Sequence, residues 1–344
     1  MRSFWSFALA LFCAFTAALP AQEKKIKGGL TWEDYAYKMP AGVTAREVTF
    51  YSDGVACYAK IFYPRGFQAS GKTAGIVLGQ GWAGTHYSIE KYGARFAERG
   101  MVGMAIDYRG WGLSDGFVEL KRPRELADPA CKNCRDDRRF TDTTAPVIVK
   151  RTRLLPQKMV EDYRNAISYL QGEPGVDSDR IGVWGSSYAG GLSLATAALD
   201  ARVKAVSVQI PGIGGKLAQP GPFKLEGKAL EDAKLRARSG QGGEYETGYS
   251  VRRMVDTETL QAVAEFRPMH LVSRIGTRPV LFVVAGDEQL MKNEDHAKAA
   301  YDLLPGPKDY VVVPGVTHFE MYIGNAFETS SKAAADWFDK YLRQ

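Results

Sequence analysis

Residues 181 to 190 read Ile181-Gly-Val-Trp-Gly-Ser-Ser-Tyr-Ala-Gly190, an apolar run that passes through two serines into small residues suited to a helix start. A serine at the tip of a tight strand-to-helix turn exposes its hydroxyl. It needs small residues two places before and after it, because the backbone there folds back on itself. Sterics choose between the two serines. Ser187 has Gly185 and Ala189 at those positions, whereas Ser186 would have Trp184 and Tyr188. Ser187 is therefore the candidate nucleophile.

Working outward from that turn, short apolar strands alternate with helical stretches. Arg46 to Tyr51 and Val55 to Tyr63 flank the turn signal Ser52-Asp53-Gly54 and predict an antiparallel hairpin. Then follow strand Ala74 to Leu78, helix Ser88 to Arg99, strand Met101 to Ile106, helix Gln157 to Leu170, strand Ile181 to Trp184 and helix Ala189 to Leu199. Strand Val203 to Ile210, strand Val280 to Val284, helix Glu294 to Leu304, strand Tyr310 to Val313 and helix Phe327 to Leu342 complete the order. This rhythm predicts an α/β fold: a mostly parallel central sheet with an antiparallel N-terminal hairpin and helices on both faces. Residues 112 to 156 and 213 to 277 fall outside it. Both follow strands, so both are expected as lid insertions at the carboxyl edge, where open α/β sheets bind ligands. The second should be a helical cap, with helices over Lys224 to Arg238 and Thr257 to Phe266.

The 344 residues are 45% hydrophobic and 24% charged, which excludes disorder, collagen and coiled coil. The chain opens on Arg2 and an uncharged run from Phe7 to Leu19, followed by Pro20-Ala21-Gln22. That pattern predicts a signal peptide over 1–21 and a single domain over 22–344, secreted or periplasmic, with no stable membrane insertion once the leader is removed. Net charge is +6, and residues 121 to 153 alone carry ten basic side chains against five acidic ones. A basic loop attracts anions. No reading motif accompanies the charge, so nucleic acid is not expected as a partner. Cys131 and Cys134 in that loop are expected as a small disulfide, with Cys57 buried and free. No metal site is expected, because the loop offers no histidine.

The motif around Ser187, together with Asp107-Tyr-Arg-Gly-Trp-Gly-Leu-Ser-Asp-Gly116 and Pro314-Gly-Val-Thr-His-Phe319, resembles the serine-nucleophile α/β-hydrolases. The likeness is to the branch of bacterial acyl esterases, dienelactone hydrolase relatives and X-prolyl peptidase-like enzymes. It covers residues 45 to 342, and it implies an α/β-hydrolase fold and a Ser-His-acid triad. A serine hydroxyl needs a base. Of the four histidines, His86, His270 and His296 lie in a loop, an insertion and a predicted helix, while His318 follows the last strand, where the family's base sits. The family's acid follows the preceding strand, which offers Asp287 and Glu288. An ungapped match puts Glu288 on the acid, and a turn one residue shorter would bring in Asp287. Asp295 is better read as a helix-start residue.

The resemblance also implies oxyanion donors: the N–H of Tyr188, and that of Trp82 in the loop Gly79-Gln-Gly-Trp-Ala-Gly84, where Gln80 replaces the family's histidine. The same loop is formally a dinucleotide fingerprint, with Asp107 at the end of the next strand. Bulky Trp82 would crowd a pyrophosphate, and that reading leaves Ser187, Glu288 and His318 unexplained. The function expected is an exported serine hydrolase cleaving carboxylic esters without a cofactor. Its substrate would be a small-molecule ester with an anionic portion and an apolar acyl part against Trp82, Trp111, Tyr188 and Phe319. An amidase, peptidase or acyltransferase would use the same triad. An inactive binding protein and a dinucleotide-dependent oxidoreductase are the remaining alternatives.

Overall fold

The computed structural model describes residues 30–82, 84–120, 144, 146–151, 153–215, 224–239, 245–246, 254–255 and 257–343. Leader residues 1–21, the pair Cys131 and Cys134, and the basic run 121–143 lie outside them.

The chain starts its sheet with β1 (Thr44–Ser52) and β2 (Val55–Tyr63), paired antiparallel from Ser52 opposite Val55 outward. The two turn residues, Asp53 and Gly54, have φ of 50° and 78°. That doubly left-handed turn matches the twist of the strands it joins, and aspartate followed by glycine tolerates it best. Six further strands follow: β3 (Thr73–Gly79), β4 (Val102–Ile106), β5 (Val176–Ser186), β6 (Val203–Gln209), β7 (Val280–Ala285) and β8 (Lys308–Val313). The sheet runs β1-β2-β4-β3-β5-β6-β7-β8. Every pairing from β4 onward is parallel, as the uninterrupted burial of β4 and β7 requires of strands covered on both faces.

One face is covered by α1 (Glu90–Glu98) and by α7 (Gly324–Leu342) at the C-terminal end of the described chain. Tyr92, Phe96, Trp337 and Phe338 meet Leu78, Trp184 and Val283 there. The other face takes α2 (Pro156–Gln171) and α3 (Tyr188–Leu199), packing Tyr163, Ile167 and Leu192 on Val77, Val183 and Val206. Of the second insertion the described parts include α4 (Gly227–Ser239) and α5 (Thr257–Glu265), close to the helices expected there.

Three of the differences from expectation have a physical reason. β5 begins at Val176 rather than Ile181, because Val176 already pairs with Thr73, and the polar residues Asp177 to Arg180, at a break in register before Ile181, carry no apolar pattern. The last short helix, α6 (Ala297–Leu303), starts late: Asn293 turns its side-chain amide to the Ala285 carbonyl at 2.8 Å, and His296 leaves the helical region with φ −111° and ψ −88°. Finally, the first insertion is not wholly irregular. Phe117–Leu120 and Val147–Lys150 form an antiparallel ribbon, two β-branched segments too far apart in sequence to read as a hairpin.

Candidate active site

Ser187 stands between β5 and α3 with φ 57° and ψ −121°, a conformation that costs a non-glycine residue about 1–3 kcal/mol. Backbone bonds hold it there. Its N–H donates to the Gln209 carbonyl at 2.9 Å, and its carbonyl accepts from Gly190 and Gly212 at 2.9 and 2.8 Å. The flanking residues must be small for the reason read from the sequence. A Cβ on Gly185 would fall 2.2 Å from the Ala189 carbonyl oxygen and 2.4 Å from Ser193 Oγ.

His318 brings Nε2 to 3.0 Å from Ser187 Oγ. Its Nδ1 lies 2.9 and 3.0 Å from the two carboxylate oxygens of Glu288. A carboxylate only accepts, so Nδ1 carries the proton and Nε2 offers its lone pair to the serine hydroxyl. Both side chains are almost fully buried. Burial pushes the Glu288 carboxyl up, but the hydrogen bond and charge of His318, with the N–H groups of Leu290 and Met291, outweigh it and hold the group below its ordinary value. Those N–H groups reach Oε1 at 2.8 and 3.2 Å. Asp287 is exposed, and its own N–H is spent on the Val316 carbonyl at 2.9 Å.

The Gly79–Gly84 loop closes on the same point. A Cβ on Gly81 would sit 2.8 Å from Ser187 Cβ and 3.3 Å from its Oγ. The Trp82 ring meets that of Tyr188 edge-on at 5.5 Å. Gln80 is buried, and its side-chain amide has no partner among the described residues. Asp107, which a dinucleotide site would need for a ribose, is fully buried. It accepts from the backbone N–H groups of His86 and Leu113 at 2.7 and 2.9 Å, with Nδ1 of His86 also at 2.7 Å.

A family described as acetyl xylan esterase (AXE1) matches residues 20–214, more than half of the chain. The chain belongs to that esterase family. A second description, BAAT / acyl-CoA thioester hydrolase C terminal, matches residues 159–308. The esterase is 26% identical over 327 residues to the quorum-quenching protein AidA of Acinetobacter baumannii, covering 86% of this chain and 95% of that one. It is 23% identical to a polyketide transferase, claH, of Penicillium crustosum, covering 80% and 90%. In fold it resembles a hypothetical protein of Pseudomonas aeruginosa, with a TM-score of 0.67 at 22% identity over 91% of this chain and 98% of the other. As a member of the family it is a serine α/β-hydrolase acting on ester bonds.

Within this esterase the remaining expected residues separate clearly. Ser186 is buried, with Oγ 2.8 Å from the Tyr322 hydroxyl and accepting from Gln209 Nε2 at 3.2 Å. His270 is exposed, Asp295 is exposed, and His296 is buried with its Nδ1 at the Ile213 N–H. Phe319 packs edge-on against His318 at 5.3 Å. Trp111 corrects the expectation of a pocket wall: it is 2% exposed within the core and donates Nε1–H to the Arg153 carbonyl at 3.1 Å. Cys57 is buried and free, its thiol pushed up to about 12 by burial. One brace went unread. Glu320 accepts from the N–H and hydroxyl of Thr317 at 2.8 and 2.7 Å, fixing the turn that carries His318, and the spacing Thr317-x-x-Glu320 is the signal that could have revealed it.

Proposed function

We propose that the chain is an exported carboxylesterase in which Ser187, His318 and Glu288 act as a catalytic triad. The contact between Ser187 Oγ and His318 Nε2, with Glu288 on the far side of the ring, carries this reading. The Ser187 hydroxyl attacks the acyl carbonyl as its proton passes to Nε2, and Glu288 stabilises the imidazolium. The N–H groups of Tyr188, at the positive end of α3, and of Trp82 stabilise the oxyanion, each worth about 3–4 kcal/mol. Collapse expels the alcohol, which takes the proton from His318. Water then attacks the acyl-enzyme by the same route, and the carboxylic acid leaves with Ser187 restored.

The substrate proposed is a small-molecule ester whose apolar acyl part lies against Trp82, Tyr188 and Phe319 and which carries an anionic portion. The insertions 112–156 and 213–277 are proposed as the cap over a single domain. The uncharged run behind Arg2 supports a leader, and residues 22–344 are proposed to reach a periplasm or the exterior. Among the described residues no helix is long and apolar enough to cross a membrane.

Turnover of an ester, amide and thioester panel, acetylated xylan included, by the wild type and Ser187→Ala tests the chemistry, with a fluorophosphonate probe reporting the nucleophile. Loss of turnover and of labelling together in Ser187→Ala is expected. Labelling that persists in that variant would overturn the assignment. Acyl transfer is the second reading, favoured by the relative named a polyketide transferase. An added alcohol acceptor would then divert product from acid to new ester.

A further inference from the structure

The turn after β6 carries polar groups that the proposed triad does not use. Gly212 ties this turn to the nucleophile through its N–H bond to the Ser187 carbonyl. Gly214 and Gly215 follow in the left-handed region, at φ 82° and 72°, and each lies against a basic side chain. A Cβ on Gly214 would be 2.9 Å from Cδ of Arg267, and one on Gly215 would be 3.4 Å from Nε2 of His296.

Arg267 is half-buried; among the described residues its guanidinium contacts the Phe266 carbonyl at 3.3 Å and no acidic residue pairs with it. The positive charge of Arg267 acts on Tyr188, whose phenol burial keeps neutral. The Tyr188 hydroxyl is buried and has no hydrogen-bond partner among the described residues. Burial pulls the guanidinium below its ordinary value, which is the cost of keeping a cation from water without a counter-ion. His296 is 5% exposed, and its Nδ1 accepts the Ile213 N–H at 3.2 Å. The neutral ring therefore bears its proton on Nε2, a donor on the Gly215 side.

We infer that Arg267, with the Tyr188 hydroxyl and the Nε2–H of His296 on the same wall, forms an anion subsite that selects esters whose acyl part ends in a carboxylate. The inference rests on Ser187 being the nucleophile, since that is what makes this wall part of the acyl pocket. One fixed positive charge with neutral donors around it balances a single negative charge, and a guanidinium fork fits a planar carboxylate.

The test compares monoethyl succinate with ethyl 4-methylpentanoate, and monoethyl adipate with ethyl 6-methylheptanoate, pairs of matched size that differ in the terminal charge. In the wild type at least one pair should favour the carboxylated ester about tenfold or more in kcat/KM, chiefly through KM. The preference should persist in about 0.5 M salt, because a half-buried pair is poorly screened. Arg267→Met should cut the ratio about tenfold, and Arg267→Lys should keep part of it. Ratios near one in the wild type, or a ratio unchanged in Arg267→Met, would overturn the subsite. So would a preference that vanishes with salt, which belongs to the basic insertion instead. If Arg267→Met does not fold, the wild-type ratios and Arg267→Lys still decide. Full activity in Ser187→Ala would sink the triad separately, whatever the ratios.

Discussion

Glu288 sets both carboxylate oxygens against Nδ1 of His318, at 2.9 and 3.0 Å, while the adjacent Asp287 stays exposed. The side chain one methylene longer is the one that curls back beneath the imidazole, and two backbone N–H groups hold it there. Glu288→Gln keeps the shape but turns one carboxylate oxygen into an NH2 donor; with the remaining oxygen held by the N–H groups of Leu290 and Met291, that donor faces Nδ1 and favours the wrong tautomer. We expect kcat to fall by about 10³–10⁴, with Asp287→Asn within about twofold of the wild type because it alters an exposed group. Steady-state kinetics on a neutral ester check both, and equal losses in the two variants would contradict the assignment.

Gly81 presses on Ser187 closely enough that a methyl group must move one of them. Gly81→Ala should lower kcat about 100-fold by displacing the loop relative to the nucleophile. The melting temperature should barely change, since the loop can shift outward. Calorimetry beside kinetics separates the two effects.

The backbone of Ser187 is strained only while residue 187 has a Cβ. Ser187→Ala keeps that strain, whereas Ser187→Gly relieves about 1–3 kcal/mol of it. Both variants should be inactive, and the glycine variant should be at least as stable as the alanine one in denaturant. A less stable glycine variant would mean that the turn is not under strain.

His296 is held neutral by burial, its proton affinity pulled down from 6.5 to about 4. The unfolded chain therefore takes up a proton between those values that the folded chain refuses. Stability should fall as pH drops from 6.5 to about 4, by about 3 kcal/mol at the limit, and this contribution is fully present only above the unfolded value. His296→Asn should flatten that part of the stability–pH curve, as measured by urea denaturation. Asp295 and Glu288 are the acidic groups whose charges act on the ring, and they oppose the effect of burial.

The turn at Ser187 was legible because its requirement is local: two small flanks, a strand before and a helix after. His318 was legible from its place after the last strand. Glu288 and Asp287 stayed two options, since which of them reaches the ring depends on the length of one turn. Arg267, His296 and the Thr317–Glu320 brace were not singled out for their roles. For Arg267 and His296, what marks them is burial and proximity across the fold, neither of which leaves a period or spacing in the chain. Trp111 misled for the converse reason, because a large aromatic beside a conspicuous loop motif reads the same whether it lines a pocket or fills a core. β5 began early where polar side chains hid a strand.

Ser187, Glu288 and His318 follow three different strands, β5, β7 and β8, and the imidazole is the last of them to be made. A nascent chain that has finished everything up to β7 has the bent serine but lacks the imidazole proposed to deprotonate it. On the proposed triad, hydrolysis would begin only when the closing segment docks, and premature release of the polypeptide would yield an inert product rather than a leaky one.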